Sequence, residues 1–139
     1  MKWFKPLLAV LICAPGFALA QIQDSVFKDY KTFERFVDRE AKSRDIATLL
    51  SILGGRDELT SEQIRNIEGQ FLALYPEDFE NVVVFNRKDL GNGITQEARA
   101  YWIGLRYVYF YFMLHQRDDE LVVLRFSFNS LPDKMLKEF

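Results

Sequence analysis

The chain has 139 residues, 18 Lys and Arg against 20 Asp and Glu, one Cys, one His and 15% aromatic side chains. That length suits one domain with its own hydrophobic core, and the slightly acidic balance lacks the basic stripe that nucleic-acid recognition shows. A single Cys and a single His exclude a disulfide framework and the usual zinc-ligand spacings.

Residues 1–20 carry the marks of a cleaved signal peptide. Lys2 and Lys5 form a positive n-region, Leu7 to Ala14 an apolar core, Pro15-Gly16 a break, and Ala18-Leu19-Ala20 a small-x-small cleavage pattern. The apolar run is about half of the roughly 20 residues that a membrane span needs, so cleavage is expected over anchoring. A lipoprotein signal centred on Cys13 is disfavoured by the bulky Ile12 before it. The expected mature protein is one domain, residues 21–139, periplasmic or secreted, without cysteine. Loss of Lys2 and Lys5 leaves 16 basic against 20 acidic residues, a net charge of about −4 that favours solubility. No second long apolar run follows, so membrane insertion after cleavage is not expected.

From Asp24 to Leu53 apolar residues recur at helical spacing: Val26, Tyr30, Phe33, Phe36 and Val37, then Ile46, Leu49, Leu50 and Leu53. The charged run from Asp38 to Asp45 between them predicts a long helix with a bend, or a short second helix, near Ser43. Gly54-Gly55 should end it. The next helix has the clearest local signature. Thr60 is a good N-cap with Gln63 as its capping-box partner, Leu59 and Ile64 occupy the staple positions, and Pro76 forces an end by Tyr75.

Asn81 to Asp89, centred on Val82-Val83-Val84-Phe85, reads as a strand closed by an Asn92-Gly93 turn. Ile94 to Leu114 is dense in aromatic and β-branched residues and reads as one long strand, with good helix material at Gln96 to Ala100 as the local competitor. A polar turn at Arg117 to Glu120 joins it to a second strand, Leu121 to Ser130. A turn centred between Asp118 and Asp119 would set Met113 opposite Leu124 and Tyr111 opposite Phe126. Ser130 and Asp133 resemble the caps of a short terminal helix docked through Met135, Leu136 and Phe139.

Alternation puts Tyr101, Tyr107, Tyr109 and Tyr111 on one face of the long strand, and Trp102, Arg106, Phe110 and Phe112 on the other. Both faces are too apolar for one to stand simply in water. Helices can cover the Leu124, Phe126 and Phe128 face, and a second subunit the other, so a homodimer through the sheet is the expected assembly. The fold class is therefore α+β, with N-terminal helices packed on a curved antiparallel sheet that ends in a long hairpin.

That element order, two helical regions and then a curved sheet dominated by a C-terminal hairpin, resembles the ketosteroid-isomerase-like or nuclear-transport-factor-two-like (cystatin-like) α+β superfamily. The resemblance spans essentially the mature chain and implies a cone-like sheet around the helices. Superfamily members include enzymes, non-catalytic binding domains and dimer-forming proteins, so fold alone does not choose among them. The isomerases use an aspartate base and an oxyanion hole of a tyrosine and a protonated acid. Here the tyrosines supply donors, but no carboxylate is read inside the central strands: Asp118 and Asp119 fall at the turn and Glu97 at the strand entrance. No catalytic residue, cofactor or metal site is assigned.

Trp102, Arg106, Phe110 and Arg125 form the one candidate ligand site. Two guanidiniums interrupting apolar strands on one face need acceptors, which a bound carboxylate or phosphate would supply; structural pairing with Glu97, Glu80, the C-terminal carboxylate or a partner is the alternative. His115 has no metal-ligand or triad companion and reads as an exposed strand-end residue. The leading functional expectation is an exported non-catalytic protein acting through homodimerisation or protein contacts on its sheet; the alternative is a small-molecule binder or enzyme with its pocket at those four residues.

Overall fold

A computed structural model of the chain describes residues 25–54 and 59–139. The signal segment expected at residues 1–20 lies outside the described residues, as does Gly55. The order is β1 (Val26–Phe27), α1 (Tyr30–Lys42), α2 (Ile46–Ile52), α3 (Ser61–Leu74), β2 (Asn81–Gly91), β3 (Ile94–Ile103), β4 (Arg106–Gln116), β5 (Leu121–Asn129) and α4 (Pro132–Leu136). The fold is α+β: α1 to α3 pack on one face of a curved, unclosed antiparallel sheet of order β1-β5-β4-β3-β2.

Side-chain caps fix the helix starts. Asp29 Oδ1 accepts from Thr32 N at 2.8 Å and Asp45 Oδ1 from Thr48 N at 3.1 Å, each satisfying a donor that the first turn leaves free. The bend expected near Ser43 is a true break, with Ser43 capping α1 and Arg44 in the left-handed region at φ 62°. The Thr60–Gln63 capping box is present in both directions, at 2.9 and 3.1 Å, and α3 ends at Leu74 before Pro76. Val26 is not helical as its spacing suggested. It pairs with Val122 at the edge of the sheet.

The larger correction concerns the long strand. Ile94 to Leu114 is not one strand but the hairpin β3–β4, turning at Gly104-Leu105. Gly104 has φ +58° and Leu105 is 94% exposed, the arrangement of a two-residue connection with glycine at its first central position. The turn exchanges parity: Tyr101 pairs with Val108 on the helix side, Trp102 with Tyr107 on the outer side. The Asn92-Gly93 turn is as read, both residues having positive φ. The β4–β5 turn also centres between Asp118 and Asp119, since Gln116 pairs with Leu121. A bulge beside Leu124 then shifts the register by one, so Met113 meets Arg125 and Phe112 meets Phe126.

The core fills the space between the helices and the inner face. Phe33 and Val37 of α1, Ile46 and Leu49 of α2, and Phe71 of α3 meet Val108, Phe110, Phe112 and Leu114 of β4, all fully or nearly fully buried. Phe33 and Phe112 contact edge to face at 5.2 Å between ring centres, and Phe71 and Phe128 at 5.6 Å. α4 crosses the opposite, outer face. Met135 and Phe139 cover Ala98 and Tyr111 there, while Leu136, expected to dock, stays exposed. Ser130 does not cap α4, whose N-cap Leu131 has no side-chain acceptor.

Phe112→Ala should lower unfolding free energy by about 3–5 kcal/mol, read as a lower denaturant midpoint at unchanged slope. Gly93→Ala should also destabilise, because the added Cβ would sit 2.5 Å from the Gln116 carbonyl oxygen, whereas a polar residue replacing Leu105 should leave the midpoint nearly unmoved.

Candidate functional site

The densest chemistry lies where α1 crosses β3. Residues four apart on a helix share a face, and Tyr30, Glu34 and Asp38 so align on α1. Residues two apart on a strand do likewise, and Glu97, Arg99 and Tyr101 so align on the inner face of β3. Arg87 enters from β2, where it pairs with Glu97. Glu97 and Arg99 are almost wholly buried.

Arg99 is the hub. Its Nε donates to Glu97 Oε2, Nη1 to Asp38 Oδ1 at 2.9 Å, and Nη2 to both Glu34 Oε2 at 2.8 Å and the Tyr30 hydroxyl at 2.7 Å. The other Glu97 oxygen accepts from Tyr30 Oη at 2.6 Å and Arg87 Nη2 at 2.7 Å. Tyr101 Oη donates to Asp38 Oδ1 at 2.6 Å, and the Arg87 guanidinium lies 5.3 Å over the Tyr30 ring centre. Among the described residues no buried side-chain polar atom lacks a partner.

This geometry sets the protonation states. Burial pushes the Glu97 carboxyl up, but the Arg99 charge and the hydrogen bonds from Tyr30, Arg87 and Arg99 outweigh it and hold the group below its ordinary value. Burial and the bond to Glu97 push the Tyr30 hydroxyl up to about 12. Burial, then the Asp38 charge and bond, raise the Tyr101 hydroxyl further. Burial disfavours the charged form of Arg99, yet Glu97 and Glu34 raise its pKa. A carboxylate clamped by two guanidiniums is a poor proton acceptor, and phenols held neutral are poor nucleophiles. The arrangement locks α1 to the sheet.

The expectation that no carboxylate lies inside the central strands is thus overturned at Glu97. The signal was available: Glu97-Ala98-Arg99-Ala100-Tyr101 alternates with period two, opposite a helix repeating Tyr, Glu and Asp every four residues. The four residues expected to share a ligand site are dispersed. Trp102 and Arg125 project from the outer face at opposite ends of the sheet, Phe110 is fully buried on the inner face, and Arg106 is exposed at the β3–β4 turn. Arg106 Nη1 donates to the Leu74 carbonyl and Arg125 Nη2 to Glu138 Oε2, both at 3.3 Å. Arg106 and Arg125 do not share a face, because the bulge beside Leu124 changed the parity of β5, and the β3–β4 hairpin likewise parted Trp102 from Arg106. His115 lies near the end of β4, partly buried and paired with Ile94.

The second feature is the half of the outer face beyond α4. Trp102 stacks on Tyr107 at 5.4 Å and Tyr107 on Tyr109 at 6.2 Å, with Phe85 edge-on to Tyr109 at 5.9 Å. Val83 is 45% exposed beside them, and Phe85 and Tyr107 are each 38% exposed. Among the described residues no His, Cys, Asp and Glu group could hold a metal ion, and no helix is long and apolar enough to cross a membrane. No protein-family model matches the chain. Searches of curated proteins and of solved structures find no match either.

Arg99→Ala should cost about 3–5 kcal/mol, because Glu97 would keep a buried charge with fewer partners. Arg99→Lys should recover only part of the loss, since one ammonium cannot reproduce a planar fork serving four acceptors; urea unfolding of the three proteins orders them. Glu97 adds stability above its unfolded pKa, near 4.3, and that contribution fades as pH falls through the lower folded value. The acid limb of a plot of unfolding free energy against pH should therefore be shallower in Glu97→Gln than in the parent; parallel limbs would exclude Glu97 as its source.

Proposed function

We propose that this is an exported, non-catalytic α+β protein that works through protein contacts on the outer face of its sheet, with a second copy of itself as first partner. The carrying observation is the half of that face that no other described element covers, where Phe85, Trp102, Tyr107 and Tyr109, with Val83 beside them, form one apolar surface next to the α4 cover. Aromatic enrichment with few charges is the composition of interface centres, and Trp and Tyr dominate their energetics. A contiguous apolar surface of this kind favours burial against a partner.

The network at Arg99 supports the non-catalytic part. Its acids, hydroxyls and guanidiniums serve one another, and the ligand pocket weighed at Trp102, Arg106, Phe110 and Arg125 gains no support from residues on different faces. Export rests on the pattern of residues 1–20. Kinship with the ketosteroid-isomerase-like superfamily belongs to the same proposal and rests on element order.

Sedimentation of residues 21–139 in the micromolar range should give a dimer mass. Phe85→Ser and Tyr107→Ser, at partly exposed positions, should shift thermal unfolding of the subunit little while weakening association by at least about tenfold, or ~1.4 kcal/mol. A monomer at every concentration, or a dimer indifferent to both changes, would sink the reading.

A further inference from the structure

β5 is paired on its outer edge for only part of its length. β1 contributes two pairs, Val26 with Val122 and Phe27 with Leu121, and Val123 N donates to the Ser25 carbonyl at 2.7 Å. Ser25 then takes φ +63° and turns its own N–H to the Ile52 carbonyl at 2.7 Å instead of to β5. Among the described residues no strand continues along β5 past Val123.

A groove of about 590 Å³ opens beside this edge, which no described strand pairs past Val123. Five consecutive β5 residues line it, Val123 to Ser127. Because successive strand residues face opposite sides, a hollow touching all five must run along the strand edge. Leu50, Leu53 and Leu59 make the facing wall, and Ser25 closes the end where β1 stops. Five strand residues span roughly 16 Å at about 3.3 Å each, a length matched to a short extended segment.

We propose that the β5 edge from Leu124 to Ser127 binds an extended polypeptide strand whose side chains alternate between apolar and acidic. The added strand continues the antiparallel β1–β5 ladder, and main-chain hydrogen bonds supply sequence-independent affinity, as in other strand-addition complexes. Its inward side chains rest on Leu50, Leu53, Leu59 and Phe126. Its outward side chains meet Arg125, more than half exposed and, among the described residues, paired with Glu138 at 3.3 Å, so an acidic residue there shares the guanidinium. The aromatic half of the outer face lies toward β2, on the far side of the sheet from this edge, and the two surfaces are independent.

The probe is a capped synthetic heptapeptide alternating Glu and Val, titrated into isotopically labelled residues 21–139. Amide resonances of Leu124 to Ser127 should move saturably and exchange more slowly with solvent. Arg125→Glu should weaken the Glu-Val peptide at least tenfold and favour the matching Lys-Val peptide, while a peptide with alternate amides N-methylated should fail against both. Phe85→Ser and Tyr107→Ser should bind the probe like the parent, which separates this site from the dimer face. Three results would each overturn the proposal: no shift up to millimolar peptide, shifts confined to Trp102 and Tyr107, or a β5 edge already protected from exchange in the free chain by its own residues 21–24.

Discussion

Arg99 is the constraint around which the interior is arranged. A guanidinium has five N–H donors and no form without charge at ordinary pH, so burying one beneath a helix is tolerable only if its donors find acceptors. Four of those donors find them in Glu97, Asp38, Glu34 and Tyr30. Three of the four acceptors belong to α1 at a spacing of four, so the bonds form together only when α1 lies along β3 at one height and one rotation. Hydrophobic contact between Phe33, Val37 and the sheet attracts the helix but tolerates sliding; the ion network does not. Its contribution is better described as selecting a register than as adding stability, since buried ion pairs recover little beyond their desolvation cost.

The sheet meets two opposing demands with local irregularities. Its inner face carries rings across β4 and β5, and its outer face carries another row of rings. Gly104 makes the β3–β4 turn tight, which keeps Trp102 opposite Tyr107 and builds the outer row. The bulge beside Leu124 moves Phe126 and Phe128 inward to Phe110 and Phe112, and sends Arg125 outward. Without it, the two phenylalanines would stand on the outer face and Arg125 would turn into the core. One extra residue therefore decides which side of β5 is apolar, and α4 then covers the part of the outer face nearest Ala98 and Tyr111.

What could be read from the chain follows the range of the forces involved. Caps and turns are local, so Thr60 with Gln63, the break near Ser43 and the Asn92-Gly93 turn were legible from neighbouring residues. The α+β class was legible from the change of apolar period. Gly104-Leu105 was missed because the flanking residues are as strand-like as any in the protein, and glycine inside a strand pattern also signals a bulge. That single omission inverted the face assignments of Tyr101 and Trp102. The bulge beside Leu124 has no local mark at all, since it arises from fitting Phe126 and Phe128 into the core, and it split Arg125 from Arg106. The Arg99 network joins residues more than sixty positions apart, and only the pairing of two periodicities, four on α1 and two on β3, hinted at it.

These pieces assign different work to the inside and the outside of the molecule. Inside, each buried polar side-chain atom of the described residues has a partner, and the rings pack edge to face between helices and sheet and stacked along β4 and β5. Outside, among the described residues, apolar surface stays uncovered on the aromatic half of the outer face and backbone hydrogen-bonding capacity on the β5 edge past Val123. A domain without a cysteine in residues 21–139 must hold its helices to its sheet without covalent help, and the ion network specifies that docking while leaving the sheet margins free. The residues that hold α1 to β3 are therefore not those of the aromatic row or of the β5 edge, and a partner at either surface, as proposed above, would leave that docking undisturbed.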